Sequence, residues 1–424
     1  MNDKPPIIII GAGLAGLAAG ITLKKSGLSS LIFESSKTIG GRVATDEING
    51  FLLDRGFQVL IKSYPEAERF LDYKALDLKP FLPGVIILND SGRQIIIDPI
   101  REPKYLLTSI FSPIGSFQDK IKVLLLKRRL KRESVNDIFS KPEKNTKAYL
   151  ESLGFSQNMM DSFFKPFLNG VFLGSMETTS SRMFEFVFKL MGEGETTIPA
   201  KGMGEIPKQM ASKFGWENIH LDEPVLDANS NQIITSKGTY NFSKLIFACG
   251  RFNLSPQIKN IVYSSVEIPK EFNSAYTLYF SSNNNPSNQN ILFLNATQNN
   301  LVNTLTVLNN ISSFYAPKGQ YLISLSLTNN YSFYTLEELI NEVRREMSIW
   351  FKDAFEWEFI KDYFIPHALS CQNHVVDQLH SFKVKGSENY YIAGDFLLNG
   401  SINGALKSGR MAAEEIIQSE TSHF

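Results

Sequence analysis

Four consecutive isoleucines, Ile7–Ile10, run directly into Gly11-Ala12-Gly13-Leu14-Ala15-Gly16. This junction constrains the fold more than any other part of the chain. A β-branched run of that length suits a parallel strand buried on both faces. Leu14 to Lys25 then has helical character and stops near Gly27, and Leu31-Ile32-Phe33 forms the next strand, ending on Glu34. Strand, glycine turn, helix and strand within about thirty residues make a βαβ unit, which points to an α/β fold. Each glycine has its own task. Gly11 permits the tight turn, Gly13 lets the backbone approach a diphosphate, and Gly16 brings helix and strand together. At Leu14 and Ala15 the helix opens with unpaired N–H groups and a partial positive charge. Glu34, with Ser35 beside it, lies eighteen residues beyond Gly16, where a carboxylate accepts both hydroxyls of a ribose.

The remaining elements arrange themselves around this unit. Strand signals of the same kind return at Lys244–Ala248 and Tyr390–Ala393. Between Pro103 and Leu190 the pattern is mainly helical. From Ala275 to Leu327 it becomes strand-like, with runs at Tyr276–Phe280, Ile291–Leu294, Thr304–Val307 and Tyr321–Leu325 separated by Asn, Ser, Pro and Gly. Thr335-x-x-Glu338 is a capping box that opens a helix reaching about Trp350. The expected architecture is a Rossmann-like nucleotide-binding domain built from residues 1–75, 190–255 and 380–424. Residues 76–189 and 256–379 supply an inserted substrate domain of antiparallel sheet plus helices.

Three further segments narrow the cofactor. Gly40-Gly41-Arg42 follows Glu34, and then come Thr45 and Gly50-Phe51-x-x-Asp54-x-Gly56-Phe57. In the middle stands Ile198-Pro199-Ala200-Lys201-Gly202-Met203-Gly204-Glu205-Ile206-Pro207, followed by Pro224-Val225. Near the end come Ala393-Gly394-Asp395 and Gly400-Ser401-Ile402-Asn403-Gly404-Ala405-Leu406-Lys407-Ser408-Gly409. Together these resemble the flavin-containing amine oxidase, phytoene desaturase and protoporphyrinogen oxidase superfamily. Lys201 departs from it, standing where the family has the first glycine of a pair. The resemblance implies noncovalent FAD. It implies that Gly41 and Arg42 run along the pyrophosphate, that Gly56 and Phe57 lie by the flavin ring, and that the Val225 backbone pairs with adenine. It also implies that Gly394 and Asp395 hold the ribityl or phosphate end, and that Asn403, Gly404 and Ala405 open a helix under the flavin. With Gly11, Gly13, Leu14, Ala15, Gly16, Glu34 and Ser35 these residues complete the expected contact set. A guanidinium suits a diphosphate because it donates two parallel charged hydrogen bonds.

The implied chemistry is FAD-dependent oxidation, a hydride leaving a substrate carbon for flavin N5. The favoured form is desaturase-like or dehydrogenase-like, on a hydrophobic substrate. Amine oxidation is the runner-up, weakened by Asn403 at the place of a family aromatic, and an isomerase without net redox change stays open. A second GxGxxG and a Cys-x-x-Cys are both absent from the sequence, so electrons are expected to leave to oxygen or a quinone. His367, in Ile365-Pro366-His367-Ala368-Leu369, resembles a position bordering the flavin and is the candidate catalytic base. His367, Cys371, His374 and His380 also have conceivable metal spacing, and coincidence is the better reading.

Composition mainly excludes. Forty-three basic residues balance 43 acidic ones, and no nucleic-acid signature accompanies them. Two cysteines, Cys249 and Cys371, cannot form a disulfide framework, which suggests a reducing, cytoplasmic setting. Lys120 to Arg132 places seven basic residues among apolar ones, so peripheral membrane contact through 120–132 is weighed against a solvated helix face. The phenylalanine-rich stretches Phe163–Phe172 and Met183–Phe188 suit helical core, with an apolar substrate channel as the alternative.

Overall fold

The computed structural model describes residues 4–250, 256, 262 and 271–421. Ile7–Ile10 lies at the centre of a five-stranded parallel sheet, between Ser30–Phe33 and Leu245–Phe247, with Ile219–His220 and Tyr390–Ile392 at the edges. All four isoleucines are buried, as the unbroken apolar run requires. The boundary expected at 255–256 falls in a stretch of which only Pro256 and Val262 are described.

The first helix, Leu14–Lys25, is buried along almost its whole length. It is covered by the sheet, by Glu205–Phe214 and by the C-terminal helix Ile402–Thr421. Glycine makes this packing possible. A Cβ at Gly16 would stand 2.0 Å from the Gly11 carbonyl oxygen, and one at Gly409 would stand 2.0 Å from that of Ala15. The first and last helices therefore touch backbone to backbone.

A second sheet of seven strands runs in the order Glu358–Ser370, Phe272–Ser282, Tyr321–Leu327, Val302–Val307, Leu292–Asn295, Gly84–Asn89 and Gly92–Ile97. The expectation of an antiparallel sheet needs correction at one place. The hairpin 84–97 joins through a parallel pair, Leu292–Asn295 with Gly84–Asn89. One face of this sheet, with Leu278, Phe280, Leu305, Val307, Ile323 and Leu325, packs into a core that includes Trp357 and the helix Leu336–Met347. Its other face looks toward the parallel sheet. Helices between residues 106 and 193 close the side of the space between the two sheets.

Candidate active site

The site forms where the parallel strands end. Gly11 turns the chain out of the first strand at φ +108°, against the Ala248 carbonyl. The first helix has no side-chain cap at Gly13, so its leading N–H groups face open space. A Cβ built on Gly13 would meet nothing within 4 Å. Such a cradle of free N–H groups fits a diphosphate. Glu34 reaches back over it, accepting from the Ala12 N–H at 2.8 Å and the Ser36 N–H at 2.9 Å. Cys249 lies on the same rim, its thiol pushed up to about 12 by burial and by the Glu34 carboxylate.

Across the cradle Arg42 pairs with Asp395 and donates to the Ala368 carbonyl at 2.8 Å. The Asp395 carboxylate raises the hold of that guanidinium on its proton. Ser408, on the C-terminal helix, accepts from the Gly394 N–H at 3.0 Å and so fixes the turn that presents Asp395.

The buried carboxylate of Asp54 fastens the motif segments together. It accepts from Thr45 Oγ1, from the Met203 N–H at 2.9 Å and from the Tyr315 hydroxyl at 2.8 Å. Its carbonyl accepts from the Tyr279 hydroxyl at 2.7 Å. Burial raises the Asp54 carboxyl to about 6 despite these donors. The Gly50–Gly56 loop is thereby locked to the Gly202–Gly204 turn and to the seven-stranded sheet. Lys201, the departure from the motif, lies outside the lock with its ammonium over the Phe314 ring.

A single cavity of about 1410 Å³ starts at this cradle and continues between the sheets. Gly11, Gly13, Leu14, Ala15, Glu34, Gly41, Arg42, Gly56, Phe57, Gly394, Asp395 and Ala405 line it. Gly16, Ser35, Val225, Asn403 and Gly404 are not among its lining residues. Gly16 serves packing. Val225 begins a short strand just after Glu223, whose N–H bonds the Glu34 carbonyl. Asn403 turns away, its Oδ1 accepting from the Glu66 N–H at 3.0 Å. Gly404 is required because a Cβ there would meet the Asn399 oxygen at 2.1 Å. Both shape the start of the last helix.

Sequence reasoning missed Ala248-Cys249-Gly250 and gave no contact role to Gly400 and Ser401 of the closing motif; all five line the cavity. The first three directly follow the strand Leu245–Phe247, and ligands in open parallel sheets collect at the carboxyl ends of strands. That rule alone would have found them.

Beyond the cradle the walls become apolar. Phe81, Ile97, Phe163, Phe167, Met183 and Val187 line this part, while Phe164, Phe184 and Phe186 are sealed in the core. The aromatic stretches thus divide between core and cavity wall. Ile365, His367 and Leu369, alternate residues of one strand, all line the cavity. Ile365 approaches Gly56 and Leu369 approaches Gly400, so His367 lies between two contacts with the cofactor-motif loops. His374 pairs with Glu143 instead, and among the described residues no group of His, Cys, Asp or Glu is arranged to hold a metal.

The far end of the cavity opens at the helix Phe117–Arg132. Leu106, Phe117, Ile121 and Leu124 line the cavity and are exposed. Leu107 and Phe111, 68% and 80% exposed, extend the patch. Four of the seven basic residues are engaged internally. Lys120 donates to the Ile110 and Ser112 carbonyls, Lys122 to that of Gly154, Lys127 to Asp98, and Arg129 to Glu185 and Tyr149. Arg128, Lys131 and Arg132 are exposed, and no ion pair ties them to another described residue.

An uncapped helix N-terminus at a parallel sheet's carboxyl edge, continuous with a roofed apolar cavity, fits a nucleotide cofactor. The chain belongs to the flavin containing amine oxidoreductase family, whose model matches residues 14–417. It is 25% identical over 55% of its length to protoporphyrinogen oxidase 2, chloroplastic/mitochondrial, of Arabidopsis thaliana, covering 44% of that protein. It is 34% identical over 18% of its length to 4,4'-diaponeurosporene oxygenase of Staphylococcus aureus, covering 15% of that protein. The chain thus matches less than half the length of these relatives. Among solved structures, a putative protoporphyrinogen oxidase from Exiguobacterium sp. 255-15 superposes with a TM-score of 0.70 at 15% identity, covering 99% of this chain and 100% of that one. A putrescine oxidase gives 0.69 at 15%, covering 98% and 99%. At such identities these two structures support the fold alone.

Proposed function

We propose that this enzyme oxidises a hydrophobic small molecule, a hydride passing from a substrate carbon to N5 of noncovalently held FAD. The observation that carries this reading is the single cavity joining the glycine cradle to an apolar chamber. Its 1410 Å³ exceeds the roughly 300–1,000 Å³ of a common small-ligand pocket. Backbone N–H groups at Gly13, Leu14 and Ala15 receive the diphosphate, with Arg42 opposite and Gly11 and Gly41 leaving room. Glu34 would serve the adenosine ribose, and Ser35 and Val225, which lie close by outside the cavity lining, would border the adenosine end. Gly394 and Asp395 would hold the ribityl or phosphate end, while Gly56, Phe57 and Ala405 would border the ring. Bound FAD supplies the two-electron acceptor. The chain contributes orientation, exclusion of water and a proton acceptor, for which His367 is the candidate. Oxygen or a quinone would accept the electrons. An amine substrate is the weaker reading, because Asn403 gives the Glu66 backbone the side chain that family resemblance would make aromatic.

The cavity mouth supports a lipid surface as the place where such a substrate is met. Phe117, Ile121, Leu124 and Leu125 share one helix face with Arg128 and Arg132, which follow toward the C-terminal end. Apolar residues at one end and cations about 16 Å further along suit a helix dipping obliquely into an anionic bilayer. No helix among the described residues is long and apolar enough to cross a membrane.

The test is a screen of hydrophobic metabolites and lipid extracts, scored by anaerobic bleaching of the flavin and by the mass of the product. The expected hit is an apolar compound that loses two hydrogens. Bleaching by amines alone, or a product of unchanged mass, overturns the reading.

A further inference from the structure

The inner face of the seven-stranded sheet carries an unexplained row of hydroxyls. Thr277 is paired with Ser326, and Ser326 with Thr304, across three adjacent strands. Residues directly opposite one another share a face, and all three line the cavity. Thr277 and Thr304 are almost fully buried within the protein. No hydrogen bond ties any of the three hydroxyls to another described residue. The opposite face of the same strands is uniformly apolar, with Leu278, Leu305 and Leu325. A face that merely packed would favour valine or isoleucine, since an unpaired buried hydroxyl costs free energy. One row further in, Thr306 is also unpartnered but sealed, so its hydroxyl can meet no ligand. The outer row differs in opening onto the chamber.

We propose that Thr277, Thr304 and Ser326 form a subsite for a neutral oxygen function, a hydroxyl or carbonyl, carried by an otherwise apolar substrate. The inference rests on the oxidation reading and adds the substrate class to it. Hydroxyls both donate and accept, so they serve alcohols and ketones alike. The neighbouring charges are closed on each other, Arg55 holding Asp46 at 2.8 and 3.0 Å and Tyr363 bonding the same carboxylate. A substrate ammonium would therefore find this carboxylate already engaged, and entering without a free counter-charge is costly. The row also lies near the reacting region. Ala275, two residues before Thr277, pairs with Ile365, which approaches Gly56, and two residues of strand span about 7 Å.

The test compares decane, 1-decanol and decylamine as ligands of the holoenzyme, read by perturbation of the flavin spectrum or displacement of a fluorescent apolar probe. The parent should bind decanol more tightly than decane or decylamine. The isosteric pair Thr277→Val with Thr304→Val should weaken decanol about tenfold and leave decane and flavin content unchanged. Should that pair fail to fold, Ser326→Ala should weaken decanol several-fold, whereas Thr304→Ser, which keeps the hydroxyl, should not. Equal losses for decanol and decane, unchanged decanol binding in the hydroxyl-deleting variants, or a parent that prefers decylamine overturns the subsite. Binding is read without turnover. A parent that selects decanol while no compound ever bleaches its flavin refutes the oxidation reading and leaves the subsite standing.

Discussion

Replacing Leu107 and Phe111 with serine should detach the protein from lipid without disturbing its fold. These side chains are 68% and 80% exposed, so they contribute little to folding and are free to enter a bilayer. Fully burying a leucine or phenylalanine side chain is worth about 1.5–3 kcal/mol. Scaled by the exposed fractions, the pair contributes about 2–4 kcal/mol, or roughly 30- to 1,000-fold in partitioning. Sedimentation with anionic vesicles measures this directly, with flavin content and melting temperature as controls. A second variant, Arg128→Gln with Lys131→Gln and Arg132→Gln, removes the cations that no ion pair engages. At about 1 kcal/mol each near an anionic surface, their loss should weaken binding roughly a hundredfold at low salt, and the deficit should shrink as salt rises. The serine pair should lose affinity at every salt concentration. If the parent ignores anionic vesicles at low salt, or if the serine pair binds as the parent does, the lipid-facing mouth is refuted.

Glu34→Ala should fold and yet bind FAD at least tenfold more weakly, since a charged acceptor is worth about 1.5–3 kcal/mol; unchanged occupancy after purification would refute its role. Asp54 has a carboxyl raised from 3.8 to about 6 by burial, so the stability it contributes is present below the unfolded value and lost as pH rises through the folded one. Relative to Asp54→Asn, the parent should therefore lose roughly 3 kcal/mol of stability between about pH 4 and pH 6, measured by denaturant unfolding, and parallel profiles would contradict this. His367→Ala should retain FAD and remain reducible by dithionite, while its anaerobic reduction by substrate slows at least about a hundredfold. Parental rates would make His367 a packing residue.

Local signals carried the first βαβ unit, because its strand, glycine turn and helix lie in one stretch whose spacing is fixed by geometry. The hairpin 84–97 had a comparable signal, two apolar runs around Asp90-Ser91-Gly92, but nothing local reveals that its partner strand lies at 292–295. The basic helix shows the same limit. Its sequence displays seven cations, while only the fold reveals that Lys127 is engaged by Asp98 and Arg129 by Glu185. Asn403 illustrates a third case, a motif position whose side chain turned out to hold a backbone N–H at Glu66. The hydroxyl row was invisible for a simpler reason: serine and threonine are common in strands, and only register aligns these three.

The backbone contact between the first and last helices also sets a timetable for synthesis. Gly13 and Asp395 face the same cradle, yet nearly the whole chain separates them. At about 5–20 residues per second, roughly 20–80 seconds pass between the emergence of the glycine turn and that of its closing partner. Throughout that interval the first helix lacks the surface that Gly409 presents, and from its own emergence onward Leu245–Phe247 lacks its outer neighbour Tyr390–Ile392. An unpaired strand edge and a bare apolar helix are both invitations to aggregate. Nascent chains should therefore depend on shielding by chaperones until Tyr390–Thr421 has been made, and a cofactor can be enclosed only after that segment has docked.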